Sequence, residues 1–417
     1  MSFDFEATLQ KYADVLVRVG ANVEPGKKIV LNVPVTTEPI IRKLVHYFIA
    51  SAYDAGASQV ITDWADEYET KIRLEHAADG TLEEVDTWAA QRLEDIVRDG
   101  GSLLALRAVD PDLLEGQDAD KVATLRAAGA KARKPTRKLW NQGIGTWSLA
   151  AGSIQAWANK VLPDVPESER VVKLWELIFR ASRIMVDDPV AEWKRHSNAL
   201  VARAEYLTAK QYQSLHYSAP GTDLTVGLAD NHIWLGGGDK TQDGRLYMPN
   251  IPTEEVFTMP HRARVEGTVT ATKPLIYSST MIDDFSITFK DGKVVDLKAG
   301  KGEATLRKML ETDEGASRLG EVALVPNSSP ISQMNVLFYT TLFDENASCH
   351  LALGAAYHNT MKNGPFMSEE DYEAAGGNSS LVHTDFMMGS GEMNIDGIKA
   401  DGSQEPVMRN GEWVFDL

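Results

Sequence analysis

Two adjacent carboxylates, Glu254 and Glu255, lie in the run Asn250-Ile251-Pro252-Thr253-Glu254-Glu255-Val256-Phe257-Thr258-Met259-Pro260. The bracketing prolines work against a helix. In an extended segment neighbouring side chains point to opposite faces. If either face is buried, a carboxylate is driven inward, where it needs a metal, a cation or a proton. The competing reading is a surface loop with two solvated glutamates.

Five of the nine histidines lie after residue 230: His232, His261, His350, His358 and His383. His383 and Asp385 in Leu381-Val382-His383-Thr384-Asp385-Phe386 share one face of an extended run. Such an i, i+2 pair offers a nitrogen and one or two oxygens to a divalent cation. A hydrogen-bonded His–Asp pair without metal fits the same spacing. His350 stands alone in the apolar run Cys349-His350-Leu351-Ala352-Leu353-Gly354-Ala355-Ala356-Tyr357, a pattern shared with hydrogen-bonded core histidines. Tyr357 either donates to an oxyanion or simply packs. Glu321 in Leu319-Gly320-Glu321-Val322-Ala323-Leu324-Val325-Pro326 is solvated if its strand lies at an edge. On a buried face it requires a partner. Cys349 has no basic neighbour to lower its pKa and reads as a small buried apolar residue.

Glu255, Glu321, His350, His383 and Asp385 thus supply three carboxylates and two imidazoles within one part of the chain. Such a set can hold two divalent ions with one carboxylate between them. A metal pair of this kind activates water and polarises a carbonyl, as peptide hydrolysis requires. The spacing permits this convergence without requiring it.

The elements that would position these groups follow from hydrophobic periodicity. Residues 5–22 carry a helical apolar stripe, Lys28–Val33 reads as a strand, 38–55 as a helix closed by Gly56, and Gln59–Trp64 as a second strand. Strand, helix, strand with short joints implies a parallel sheet. The pattern continues with helices at 83–98 and 120–133, strands at 102–107 and 146–151, and helices near 154–160 and 167–184. We therefore expect an α/β domain with a small parallel sheet over residues 1–187. The first strand is followed by no glycine trio, which argues against a dinucleotide site. A helix from 190 to 206 leads to a region where the period switches to two. Asp223–Leu228 and Phe285–Phe289 alternate, and Asp291-Gly292 and Asn410-Gly411 mark hairpins. Residues 188–417 read as a mixed α+β, strand-rich domain that carries the metal-binding and catalytic groups. Gly236-Gly237-Gly238-Asp239-Lys240 leads into another turn rather than a helix, so it reads as a flexible loop and not a phosphate cradle.

Composition limits the function class. The 417 residues carry a formal net charge of −18, which argues against nucleic-acid or anionic-membrane partners. No apolar run reaches the roughly 18 residues of a membrane span. The lone cysteine excludes an internal disulfide and a multi-cysteine zinc site, and the N-terminus lacks a signal-peptide pattern. A cytoplasmic enzyme is the expectation.

Four segments in order resemble the thermophilic aminopeptidase family, the two-metal peptidases of the aminopeptidase T and aminopeptidase S type. They are Tyr247–Thr258, Gly320–Pro326, Cys349–Tyr357 and His383–Met387, and the likeness spans essentially the whole chain. The resemblance implies that Glu255, Glu321, His350, His383 and Asp385 are metal ligands, with Glu321 bridging. It implies two divalent ions, cobalt or zinc, with magnesium and manganese as further options. It also implies peptide substrates with a free N-terminus and a homodimer enclosing the active sites. Within the matching motifs, Glu254 is expected to act as general base and Tyr357 as carbonyl or oxyanion donor. Two rival readings are another dinuclear amide or ester hydrolase, and a binding protein with a degenerate site. The presence of all five ligands gives the latter no support.

Overall fold

The computed structural model describes residues 3–78, 80–277 and 280–416. It comprises two compact units, Met1–Arg195 with Gly238–Pro252, and His196–Gly237 with Thr253–Leu417.

The first unit holds a parallel sheet of four strands, β1 (Lys28–Pro34), β2 (Gln59–Ala65), β3 (Ser102–Arg107) and β4 (Thr146–Ala151), in the order β2-β1-β3-β4. Each strand lies within a residue or two of its expected place. Helix Pro39–Asp54 has proline in its first turn and buries Ile41, Leu44, Val45, Phe48 and Ala52, one stripe at helical spacing. The expected N-terminal helix is Phe5–Val15, followed by a π-helical turn over Leu16–Gly20. Its Tyr12 packs edge-on against Trp175 and Phe179 and donates to the Ala151 carbonyl at 2.9 Å.

Two helices depart from expectation. Glu67–His76, capped by Asp66, carries no apolar period, and Leu74 is its buried residue. Periodicity therefore had nothing to detect. The helix expected to stop at Arg133 runs through Pro135 to Asn141. Pro135 is exposed, and the buried Thr136 and Leu139 continue the packed face beyond it.

In the second unit a nine-stranded antiparallel sheet is built from the alternating segments. Its hairpin between Thr280–Lys290 and Lys293–Lys301 turns on Asp291 and Gly292, both at positive φ (49° and 75°). A type I′ turn requires this, so glycine suits the second position. A second sheet has five antiparallel strands: β5 (Leu235–Gly236), β6 (Val256–Thr258), β7 (Leu319–Leu324), β8 (His350–Gly354) and β9 (His383–Met387), in the order β9-β8-β7-β6-β5. The glycine-rich run Gly236–Lys240 contributes to β5 and to a short strand pair, Asp239–Lys240 with Leu246–Tyr247. Leu215, Val226 and Ile287 of the large sheet share one apolar core with Val322, Leu324, Leu351, Leu353 and Phe386 of the small one. The fold is mixed α/β, a small parallel sheet accompanied by strand-rich antiparallel sheets, as expected.

Candidate metal centre

The strands of the five-stranded sheet alternate, and their registers decide what shares a face. Ala352 pairs with Glu321 on one side and Asp385 on the other, Ala323 pairs with His350, and Gly354 pairs with His383. Phe257 pairs with Ala323, which sets Glu255, two residues earlier, toward the same face. All five expected ligands therefore belong to one face. Alanine and glycine occupy the positions between them, leaving room for the longer side chains. The intervening residues Val322, Leu324, Leu351, Leu353 and Phe386 point the other way, into the core. Leu319–Leu324 is buried at every position, so the reading of Glu321 as a solvated edge acid does not hold.

The side chains meet. Glu255 Oε2 lies 3.0 Å from His350 Nε2, and Glu321 Oε1 lies 3.5 Å from the same nitrogen. Glu321 Oε2 lies 3.6 Å from His383 Nε2, which is 3.5 Å from Asp385 Oδ1. Two ligand groups result, Glu255–Glu321–His350 and Glu321–His383–Asp385, each with its donor atoms within 4.8 Å of one another. Glu321 belongs to both.

Hydrogen bonds behind the histidines fix their orientation. His350 Nδ1 donates to Ser348 O at 3.2 Å and His383 Nδ1 to Ala355 O at 2.7 Å, which leaves each Nε2 facing the carboxylates. Burial opposes charge on His350, but Glu255 and Glu321 outweigh it and hold the imidazole well above its ordinary pKa. The same contest, with Asp385 as main partner, leaves His383 raised to about 9. Burial raises Glu321, whereas the His383 contact overcomes burial and lowers Asp385.

The donor set fits a metal. Glu255 Oε2 and Asp385 Oδ1 are buried with no well-formed hydrogen bond, each facing a histidine Nε2. A buried carboxylate oxygen without a donor is costly unless a cation faces it. Three carboxylates and two imidazoles match divalent-ion chemistry.

Glu254 is buried as deeply as Glu255 but faces elsewhere. Its Oε2 lies 3.7 Å from His196 Nε2, which also bonds Thr253 O at 2.9 Å. It belongs to neither ligand group. Tyr357 sets its ring centroid 4.7 Å from that of His383, with the planes tilted by 50°. Desolvation and then the carboxylates of Glu321, Asp385, Glu345 and Glu255 raise its phenol well above the ordinary value. Cys349 is buried, with its thiol pushed by burial up to about 11, in keeping with a packing role.

Glu345 escaped the sequence reading. Burial raises its carboxyl far above the usual range, and the charges of Glu255, Asp385, His350 and Glu321 act on it. A signal existed: Leu342-Phe343-Asp344-Glu345 is a second adjacent acid pair beside apolar residues, like Glu254-Glu255.

A family model described as thermophilic metalloprotease (M29) matches residues 5–413. The chain belongs to the thermophilic metalloprotease family. Among this family's members, the chain is 46% identical to aminopeptidase 2 of Geobacillus stearothermophilus over 99% of both chains. It is 42% identical to aminopeptidase T of Thermus thermophilus over 98% of this chain and 99% of the relative. The solved structure of wild-type AmpT from Thermus thermophilus superposes with a TM-score of 0.92 at 40% identity, covering 99% of this chain and all of that one. Family membership makes this chain a metal-dependent hydrolase of peptide bonds. Among the described residues, no helix is long and apolar enough to cross a membrane.

Proposed function

We propose that this chain removes N-terminal residues from peptides with a free amine, using two divalent cations, cobalt or zinc, held by Glu255, Glu321, His350, His383 and Asp385. The observation that carries this reading is the shared position of Glu321, whose two oxygens each face a different histidine. When bound, such a pair supplies Lewis acidity that polarises the scissile carbonyl and makes water nucleophilic. The chain's own groups do the rest. His350 and His383 are locked by Ser348 and Ala355, so their Nε2 atoms need no reorientation. Tyr357, packed on His383, donates to the carbonyl oxygen as negative charge develops there. Two carboxylates, Glu254 and Glu345, are the options for carrying the proton from water to the leaving amine. The exposure of Glu345 to the charges of the centre supports Glu345, whereas Glu254 turns toward His196. The names of its relatives support the aminopeptidase reading. We further infer a cytoplasmic homodimer.

The test compares L-leucine p-nitroanilide with its N-acetyl derivative, before and after dialysis against a chelator. Hydrolysis of the free-amine compound alone, lost on chelation and restored by Co²⁺ or Zn²⁺, supports the proposal. Equal hydrolysis of both compounds assigns the centre to a general amidase, and full activity without metal removes the metal reading. Metal analysis of the purified protein should return two ions per chain.

A further inference from the structure

The peptide unit between Thr253 and Glu254 is held at both of its polar ends by buried side chains. Its carbonyl accepts from His196 Nε2 at 2.9 Å, and its N–H donates to Asn346 Oδ1 at 2.7 Å. We propose that His196 and Asn346 form a two-sided clamp that aims Glu255 at one of the two metal positions, and at that one alone. This rests on the two-metal reading above.

The need for a clamp follows from where the strand begins. The β6 ladder starts at Val256, opposite Leu324 and Gly236. Thr253, Glu254 and Glu255 precede it and are buried. Buried backbone groups require hydrogen-bond partners, and ahead of the ladder side chains supply them. His196 Nε2 carries a proton here, because a carbonyl only accepts. Glu254 Oε2 stands further from the same nitrogen, at 3.7 Å. A peptide unit is planar, so fixing its C=O and its N–H fixes the whole plane. Glu255 lies between that plane and the first ladder pair. Its backbone is thereby set, with Oε2 3.0 Å from His350 Nε2.

Both clamp residues are themselves anchored. His196 belongs to the helix Pro189–Lys210, and its neighbour Ser197 donates to the Gly237 carbonyl, directly after β5. Strand β5 pairs with β6, so the helix that carries His196 is fastened beside the strand that follows Glu255. Asn346 is fully buried, and its own carbonyl accepts from Ser329 Oγ at 3.0 Å. Neither residue belongs to a ligand group. They act through the backbone, as positioning residues.

Glu255 belongs to the group Glu255–Glu321–His350 and not to the other. Glu321, His383 and Asp385 of the second group sit within strand ladders that need no such clamp. Loosening the clamp should therefore weaken one ion and spare the other, whereas a residue that merely supported the fold would affect both.

The experiment titrates metal-free full-length protein with Zn²⁺ by calorimetry. Wild-type protein should bind two ions, and Glu255→Gln marks which of the two binding events belongs to its position. His196→Gln and His196→Asn are both neutral and polar and differ by one methylene. The glutamine amide reaches the place of Nε2 and still donates to the Thr253 carbonyl, whereas the asparagine amide stops short. His196→Asn should weaken the marked ion about 10–100-fold, the range for losing a group that supports a ligand from behind, and leave the other unchanged. His196→Gln should keep both ions. Asn346→Ala should weaken the same ion as His196→Asn, and it decides alone if His196→Asn does not fold. Equal weakening of both ions, unchanged binding, or a glutamine variant as weak as the asparagine one overturns the clamp. Wild-type protein that takes up no second ion overturns the two-metal reading, and the clamp with it, before any variant is compared.

Discussion

The backbone N–H of Glu254 donates to Asn346 Oδ1 at 2.7 Å. Asn346 is fully buried, and its Nδ2 donates to Leu342 O at 3.1 Å and lies 3.4 Å from Glu345 Oε1. One amide thereby ties the loop that presents Glu255 to the turn that presents Glu345. Asn346→Ala leaves a buried N–H without its acceptor and should cost about 1–3 kcal/mol of stability. It should also weaken metal retention, because both acidic segments lose their common tether. Denaturant unfolding and metal content after gel filtration measure the two effects. Wild-type values in both would show that the tether is dispensable.

Glu321 and Glu392 form a matched pair of tests. Glu321 contributes to both ligand groups, whereas Glu392 is an exposed residue of the loop after β9. Replacing a group that supports a ligand from behind typically costs 10–100-fold. Removing the shared ligand itself by Glu321→Gln should cost more than about 100-fold in kcat and lower the bound-metal count. Glu392→Gln should do neither. Comparable losses in the two variants would remove Glu321 from the centre.

Ala352 lies between Glu321 and Asp385 in the strand register and is fully buried. Ala352→Leu places three further carbons on the ligand face. Overpacking of this kind costs about 1–3 kcal/mol, and here the displaced atoms include carboxylates of both ligand groups. The variant should keep its circular dichroism spectrum but lose metal. If it binds metal with unchanged stoichiometry and affinity, the small residues are not what makes room for the centre.

The pH dependence has a definite sign. In metal-free protein His383 is raised to about 9 and His350 lies well above its ordinary value. Their stabilising charge is fully present below about pH 6.5, the unfolded imidazole value. It is lost as pH rises through the folded values, so the metal-free protein should be more stable at pH 6 than at pH 9 as far as these groups decide it. Metal binding runs the opposite way, because a coordinating imidazole must shed its proton. Affinity should therefore rise from pH 6 to pH 8, with protons released on binding. Zinc titrations in two buffers of different ionisation enthalpy count those protons. Binding without proton release would place the metal elsewhere.

The sequence by itself determined the elements and the chemistry available to them. Period-two alternation marked the strands, and Asp291-Gly292 marked a turn whose positive φ angles few other pairs accept. The i, i+2 spacing in His383-Thr384-Asp385 was enough to put those two side chains on one face, because strand periodicity is a local property. What tertiary structure decided was register. Only the pairings of Ala352 with Glu321 and Asp385, and of Ala323 with His350, bring the proposed ligands of β7, β8 and β9 together. A slip of one residue in any of them would turn that strand's ligands into the core. Glu254 and Glu255 show the same division. Adjacency in an extended run predicted that they would diverge, but whether each met His196 or His350 depended on elements remote in the chain. Glu345 became recognisable only once burial placed it within reach of the other charges, since desolvation and long-range proximity are properties of the packed molecule.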